Sequence, residues 1–279
     1  MSEDILADRS APALAQAIEA NGEAWWRHYR HAPQADVHDE RELFWLTSGI
    51  PIKEYSGVAR TRFDPDRTTE EIDRHITRIQ AYFSAHQVGM QWIIGPSTRP
   101  THLGEWLEQH GFLCQGSVPG MAAQLERLPA EVAVPPRLEI ARVANEAQLQ
   151  EWAAVAGQAY GEPADVQQAR FAVHAAFGFA EDAPLQRYLA RLDGKPVAMS
   201  ELFLAAGVAG IYDVATMPQA RRQGIGAAIT HVPLLTARAR GYRIGVLEAS
   251  PMGEPVYRRL GFEEYCRFTL YEWEPGAGN

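Results

Sequence analysis

The stretch that decides the fold reads Tyr212-Asp213-Val214-Ala215-Thr216-Met217-Pro218-Gln219-Ala220-Arg221-Arg222-Gln223-Gly224-Ile225-Gly226-Ala227-Ala228. Its first part has the composition of a strand, and an apolar helix begins after the glycines. Glycine lets a backbone approach a ligand closely, and the N–H groups at a helix start attract anions. A strand that passes through a glycine turn into a helix therefore predicts a site for a pyrophosphate.

The charge around this stretch differs from that of the whole chain. The 279 residues include 26 lysines and arginines against 35 aspartates and glutamates, for a formal net charge of -9. Between Val214 and Leu247, however, there is no acidic residue and there are five arginines. Such a local excess of positive charge suits a polyanionic ligand. The stretch lacks the Gly-Lys-Ser/Thr of a P-loop and the third glycine of a dinucleotide fingerprint, so it predicts another type of phosphate binder.

These residues resemble the signature of the GNAT superfamily of acyltransferases. That signature, Arg or Gln, two residues, Gly, one residue, Gly or Ala, is matched by Arg221, Gly224 and Gly226. Downstream, the segment from Tyr257 to Phe262 looks like the closing Tyr-x-x-x-Gly-Phe element of the superfamily. The resemblance covers about residues 137–273. It implies a mixed α/β fold that binds acyl-CoA.

Earlier in the chain, the sequence predicts a second, weaker copy of this module. An amphipathic helix begins near Thr68, which forms a capping-box pattern with Glu71. The apolar strand 91–94 is followed by a loop, a helix and a Gly-Phe pair, as is the strand that begins at residue 243. At the position that corresponds to Tyr257, the first copy has Leu107. This pattern resembles tandem GNAT proteins in which one module has lost its cofactor.

Proline-rich residues 128–136 favour an extended linker between the two modules. We therefore expect two domains in an α/β chain with mixed sheets. Residues 1–130 are predicted to form a degenerate GNAT-like module without cofactor, which serves as a scaffold or as a wall of the acceptor site. Residues 137–279 are predicted to form the acyl-CoA-binding catalytic domain.

The GNAT resemblance implies a set of cofactor-binding residues. The pantetheine arm of acyl-CoA would bind the backbone of the strand before the glycine turn, and the pyrophosphate would bind amides of the turn. A serine after the later strand would be a further contact to the pantetheine. The residues in these positions are Val214, Ala215, Thr216, Arg221, Arg222, Gln223, Gly224, Ile225, Gly226, Ala227 and Ser250.

The resemblance also implies catalytic candidates. Tyr257 occupies the position of a tyrosine that protonates the leaving CoA thiolate, and its alternative role is that of an aromatic anchor for the last helix. Attack on a thioester needs a neutral amine, so a base must accept a proton. We prefer Asp213 as this base, with Glu201 and Glu248 as alternatives. Each carboxylate could instead have a purely structural role.

Composition and spacing argue against several other classes of function. The net charge of -9 offers no broad basic surface for nucleic acid. The acidic N-terminus and the short apolar runs predict a cytoplasmic protein without a signal peptide or membrane span. Cys114 and Cys266 are too few for a disulfide framework and are expected to be reduced strand residues, and no histidine pair has zinc-site spacing. We expect no metal, and a monomer rather than a dimer.

Together these features predict an acetyl-CoA-dependent N-acetyltransferase. It would transfer acetyl to a primary amine of a small-molecule acceptor by direct attack and release coenzyme A. One alternative is a non-catalytic acyl-CoA sensor or interaction module, which would keep the phosphate turn but would not need Tyr257. Another keeps the enzyme but changes the acyl group or uses a hydroxyl acceptor. The sequence leaves the identity of the acceptor open.

Overall fold

The computed structural model describes residues 5–276 and divides the chain into two compact units. Unit 1 contains the N-terminal segment up to Trp25 and residues 119–265, and unit 2 contains residues 26–118 and the segment from Cys266 onwards. The outermost residues of the two predicted domains, 1–4 and 277–279, lie outside the described residues, as does the start of the acidic N-terminus.

Seven α-helices and eleven strands make up the regular structure of the described residues. The helices are α1 (Ala11–His28), α2 (Thr69–His86), α3 (Leu103–Gln109), α4 (Glu146–Tyr160), α5 (Ala164–Ala176), α6 (Ile225–Ala239) and α7 (Glu254–Arg259). The strands are β1 (Asp36–Asp39), β2 (Leu43–Thr47), β3 (Ser56–Thr61), β4 (Met90–Ile94), β5 (Leu113–Gln124), β6 (Leu138–Arg142), β7 (Leu185–Leu192), β8 (Lys195–Ala205), β9 (Val208–Thr216), β10 (Ile244–Glu248) and β11 (Glu263–Trp273).

The sheet of unit 1 has the order β5-β10-β9-β8-β7-β6, with residues 119–124 of β5 at one end. β10 is parallel to β9, and the other neighbours are antiparallel. The hairpin between β7 and β8 turns at Asp193 and Gly194, whose φ angles are 53° and 77°. Two left-handed residues are what a tight two-residue hairpin requires, so the predicted Asp-Gly turn is confirmed.

Helices cover both faces of this sheet. On one face, Ile225 and Ile229 of α6 pack with Tyr188 of β7 in a buried core. On the other face, Trp152 of α4 packs with Leu189, the next residue of β7. This alternation is the period-two pattern of a strand with both faces buried.

The N-terminal helix belongs partly to unit 1. In this unit the side-chain amide of Asn21 donates to the carbonyl oxygen of Ala205 at 2.8 Å. Trp25, one turn later on α1, is buried and donates from its indole nitrogen to a carboxylate oxygen of Glu201 at 3.0 Å. Residues that precede the predicted linker by a hundred positions therefore help to build the second module.

The sheet of unit 2 has the order β1-β2-β3-β4-β11. Helix α2 buries one apolar stripe in the core of this unit, which consists of Ile72, Ile76, Ile79 and Phe83. Both hydrogen bonds of the predicted capping box are present, from the Glu71 amide to the Thr68 hydroxyl and from the Thr68 amide to the Glu71 carboxylate. The predicted amphipathic helix is confirmed.

The compact units follow the predicted domains in outline but change over at other points of the chain. The chain passes between units after Trp25, after Val118 and after Tyr265, so β5 and β11 each contribute to both. The boundary at residues 130–137 stays a prediction about sequence modules. Cys114 lies in β5 and Cys266 in β11, and no disulfide joins them. Among residues 5–276, no helix combines the length and the apolar character that crossing a bilayer requires.

Candidate functional site

The parallel strands β9 and β10 are paired over a short stretch and then separate. Their ladder joins Gly245 to Ala209 and Val246 to Gly210, whereas β9 continues to Thr216. Beyond the ladder, each strand directs peptide groups towards the gap between them, and such groups need partners. The carboxyl ends of these parallel strands therefore offer backbone hydrogen bonds to an extended ligand.

A β-bulge shapes the end of β9. Asp213 and Val214 together lie opposite the single residue Ser200 of β8, and Asp213 has a φ angle of 51°. A left-handed conformation costs a residue with a Cβ about 1–2 kcal/mol. Because bulges redirect side chains and occur next to functional sites, this strained residue marks the end of β9 as a candidate site.

The turn between β9 and α6 forms an anion-binding shape. Arg222 and Gly224 are both left-handed, with φ angles of 61° and 81°. Gly224 is the N-cap of α6 and has no side chain that could cap the first N–H groups. A Cβ on Gly226 would have the hydroxyl of Thr216 as its nearest neighbour, at 3.7 Å, so there is room beside its backbone. The helix start thus presents amides and the positive end of its dipole to a negative group.

Two backbone carbonyl groups hold the side chain of Arg221. Its Nε donates to the carbonyl oxygen of Thr216 at 3.0 Å, and its Nη2 donates to that of Ala159 at 3.3 Å. The guanidinium therefore ties the glycine turn to the end of β9 and to the last turn of α4. Arg222, which is exposed, is the arginine of this pair that has its side chain available for a phosphate.

A cavity of about 890 Å³ connects these elements. Predicted cofactor-binding residues that line it are Val214, Ala215, Thr216, Arg221, Arg222, Gly224, Gly226, Ala227 and Ser250. Two predicted residues are not part of this lining. The side chain of Ile225 is buried in the core beneath α6, and the side-chain Nε2 of Gln223 donates to the carbonyl oxygen of Gln219 at 3.5 Å. For Gln223 and Ile225, the predicted contact with the pyrophosphate is through the backbone amide, and it stays a prediction.

Two tyrosines line the cavity. Tyr257 is buried, its ring meets that of Phe262 edge-on at 6.1 Å, and burial raises the pKa of its phenol to about 12. Tyr257 therefore packs against its neighbours, as its alternative role predicts, and also lines the cavity. Tyr160, at the end of α4, was missed by the sequence analysis. Its hydroxyl lies 3.5 Å from the carbonyl oxygen of Val214, and about 50% of the residue is exposed.

Asp213, the preferred base, is held in an ion-pair network. Its carboxylate lies 3.5 Å from Nη1 of Arg170, whose side chain is fully buried. Arg170 also pairs with Glu162, which follows α4. Asp213 is not part of the cavity lining given above. The sequence analysis did not single out Arg170, because an arginine on a helix gives no sign of its burial.

Glu201, the second candidate base, lies in a buried pair with His174. The Nδ1 atom of His174 lies 3.1 Å from a Glu201 carboxylate oxygen, and both side chains are fully buried. Burial raises the pKa of Glu201 to about 7 and, assisted by the positive charge of Arg187, holds the pKa of His174 well below its usual value. Burial thus disfavours the charged form of each group.

The third candidate, Glu248, ends β10 on the sheet face that packs against α1. A Cβ on Gly22 would lie 3.3 Å from its Oε1 and 3.9 Å from the hydroxyl of Tyr212. That hydroxyl donates to Asn21 at 2.7 Å, and the Tyr212 ring stacks on Trp25 at 4.8 Å. Burial, with a smaller contribution from the negative charge of Glu19, raises the pKa of Glu248 to about 7.

His174, Glu201 and Asp213 bring one ligand-type atom each to within 4.8 Å of one another, as a metal site would. The surrounding charge does not fit a cation, since Arg170 pairs with Asp213 and Arg187 acts on His174. Guanidinium groups already balance the acidic charge of this cluster. The expected absence of a metal stays a prediction.

The corresponding part of unit 2 is closed. The amide of Arg99 donates to the carbonyl oxygen of Thr61 at 3.0 Å, and the amide of Phe63 donates to that of Arg99 at 3.2 Å. These bonds fill the gap after β3, and the start of α2 is capped by Thr68 and Glu71. An acidic, capped helix start disfavours an anion. This geometry supports the prediction that the first module has lost its cofactor.

Comparisons with known proteins agree with this description. Residues 184–264 match the family model described as the acetyltransferase (GNAT) domain. A solved GCN5-related N-acetyltransferase from Kribbella flavida is 23% identical, with 94% of this chain and 96% of that chain covered and a TM-score of 0.67. A GCN5-related N-acetyltransferase from Sphaerobacter thermophilus is 17% identical, with 99% of this chain and 96% of that chain covered and a TM-score of 0.63. A search of curated proteins gave no match.

A tandem GNAT protein from the clavulanic acid biosynthesis pathway has the same fold, with 14% identity, 99% of each chain covered and a TM-score of 0.57. The resemblance to the GNAT superfamily is thereby confirmed, as is the mixed α/β fold, and a tandem arrangement agrees with this likeness. The matched family segment begins at β7 and contains the bulge, the glycine turn and α7. The fold supports acyl transfer as the general activity.

Proposed function

We propose that this protein transfers an acetyl group from acetyl-CoA to a primary amine of a small molecule. The observation that carries the proposal is the 890 Å³ cavity, which joins the open end of β9, the glycine turn and Tyr257 in one space. A strand edge suits an extended amide-containing arm, and a glycine turn at a helix start suits a pyrophosphate. The volume lies in the range of cofactor pockets.

The chain's own residues fit the parts of this acyl donor. Backbone groups of Val214 and Thr216 would bind the pantetheine, and the amides from Gln223 to Ala227 would bind the pyrophosphate, with Arg222 beside them. When bound, acetyl-CoA supplies an activated thioester. Arg221 has a positioning role, because it fixes the turn through backbone carbonyls rather than through a free charge.

In the proposed reaction the neutral amine attacks the acyl carbon, a C–N bond forms, the C–S bond breaks, and the amine loses a proton to a base. Tyr257 would donate its phenolic proton towards the departing sulfur. A phenol with a pKa of about 12 is a weaker acid than a thiol, whose pKa is about 8.5. Tyr257 therefore stabilises the thiolate chiefly by hydrogen bonding, while the proton that finally binds sulfur comes through solvent.

The proposal is tested by turnover with a panel of primary amines. Putrescine, tyramine, lysine and glycylglycine are each incubated with acetyl-CoA, free CoA is measured with a thiol reagent, and the acetylated product is identified by mass spectrometry. We expect turnover with at least one amine, and a roughly 10-fold or greater fall in kcat for Tyr257→Phe at an unchanged KM for acetyl-CoA. Binding of acetyl-CoA without any acetylated amine would favour the acyl-CoA sensor instead.

A further inference from the structure

Three carboxylates come from the neighbouring strands β8, β9 and β10, and they differ in their partners. Asp213 is paired with the buried guanidinium of Arg170. Glu201 accepts the indole N–H of Trp25 and contacts the imidazole of His174. A positive partner stabilises a carboxylate against protonation, and a carboxylate enclosed by packed rings is difficult for a substrate to reach. Neither arrangement suits a group that must take a proton from an incoming amine.

Glu248 is placed differently. It is the last residue of β10, two positions beyond the last parallel pairing with β9, and two positions before Ser250, which lines the cofactor cavity. Its side chain lies against α1, where a Cβ on Gly22 would be only 3.3 Å from its Oε1, so the helix backbone packs directly on this carboxylate. Glu248 thus lies at the end of β10, where the gap between β9 and β10 that would hold the thioester begins.

We propose that Glu248 is the general base of the acetyl transfer and that it acts on an acceptor amine that reaches the thioester at the carboxyl end of β10. This inference rests on the proposed function. The proton that leaves the attacking nitrogen binds a carboxylate oxygen of Glu248 and then passes to solvent, while the C–S electron pair stays with sulfur. Asp213 becomes a positioning residue that holds the bulge of β9 through Arg170.

The groups that face Glu248 give this base a specific pH dependence. Glu19 acts on it from α1 as a like charge, and Tyr212 faces it from β9 with a phenol that burial keeps protonated. Its partner on β5 is Gly120, which has no side chain. A nearby negative charge raises the pKa of a carboxyl group, so removal of the charge of Glu19 should lower the pKa of Glu248. Since a base acts in its deprotonated form, the acid limb of the rate profile should then move to lower pH.

The activity test compares wild type with Glu248→Gln and with Glu139→Gln, a matched change at an exposed position of β6. The assay is acetyl-CoA turnover with the best amine of the panel. We expect Glu248→Gln to lower kcat about 100-fold or more, with an unchanged KM for acetyl-CoA, and Glu139→Gln to have no effect. If wild type turns over and Glu248→Gln keeps both the rate and the pH profile, the assignment of the base fails while the proposed function stands. If wild type acetylates none of the amines, both fail.

A second variant separates catalysis from structure. Glu19→Gln should keep the kcat plateau and move the acid limb to lower pH by roughly one unit, the usual scale of a neighbouring charge. Infrared difference spectra of the resting protein provide a readout without turnover. Because the carboxyl group of Glu201 also has a pKa of about 7, the spectra are recorded in the Glu201→Gln background. There the band of a protonated carboxyl group should titrate near pH 7, should titrate at lower pH when Glu19→Gln is added, and should be missing when Glu248→Gln is added. An acid limb and a band that stay unchanged in Glu19→Gln would contradict the proposal.

Discussion

Replacement of Glu201 by glutamine should stabilise the protein above neutral pH and have little effect in acid. Burial raises the pKa of Glu201 from its ordinary 4.5 to about 7. An acid with a raised folded-state pKa binds its proton more tightly in the folded state, so this stability is present below the unfolded pKa and is lost as the pH rises through the folded pKa. The difference between the two pKa values corresponds to roughly 3 kcal/mol of folding stability, which is lost between about pH 4.5 and pH 7.

Glutamine has the shape of glutamate and cannot ionise, so its amide oxygen still accepts the Trp25 N–H that lies 3.0 Å from Glu201. The free energy of unfolding is measured by urea denaturation at about pH 5 and about pH 8.5 for wild type, Glu201→Gln and the exposed control Glu139→Gln. Between these pH values, we expect the free energy of unfolding of Glu201→Gln to fall by roughly 2–3 kcal/mol less than that of wild type. Equal pH dependence of all three proteins would refute the reasoning.

Two further predictions concern the elements that hold the site. Arg170→Met should destabilise the protein by about 3–5 kcal/mol, because it leaves the carboxylates of Asp213 and Glu162 without their buried partner. Urea denaturation measures this loss, and a much smaller loss would show that solvent already screens these ion pairs. Gly224→Ala should cost about 1–3 kcal/mol, because φ is 81° and the new Cβ would lie 2.2 Å from the carbonyl oxygen of Ala133. Gly226→Ala, whose Cβ is unobstructed, should lower the melting temperature far less than Gly224→Ala does. Equal decreases for the two variants would show that the backbone at Gly224 can change conformation to accept a side chain.

The fold was predictable where local patterns decide it. The apolar spacing and capping box of α2, the Asp193-Gly194 turn and the glycine start of α6 each depend on neighbouring residues, and all are present. β1 was missed, because Asp36–Asp39 contains one apolar residue and forms the end of its sheet. The start of β5 was also missed, since its first five residues are exposed and carry no apolar alternation.

The site was predictable in part for the same reason. The phosphate turn is a contiguous motif, so its residues could be named before the cavity was known. The ion pairs around the bulge join residues from α5, β8 and β9, and no local pattern shows that Arg170 and His174 are buried beside these strands. The left-handed φ of Asp213 depends on the register of β8 and β9, which a sequence does not display. Tyr160 lies in the cavity only because α4 ends there.

The central claim is that the cavity beside the glycine turn binds acetyl-CoA, and a calorimetric titration tests it most directly. Wild type is compared with Gly226→Glu, which adds bulk and negative charge to the cavity at a position where a Cβ has room, and with Gly226→Ala as the control for folding. We predict that wild type and Gly226→Ala bind and that Gly226→Glu binds at least about 100-fold more weakly, equivalent to roughly 3 kcal/mol. Equal affinity of wild type and Gly226→Glu, or no binding by folded wild type, would contradict the account.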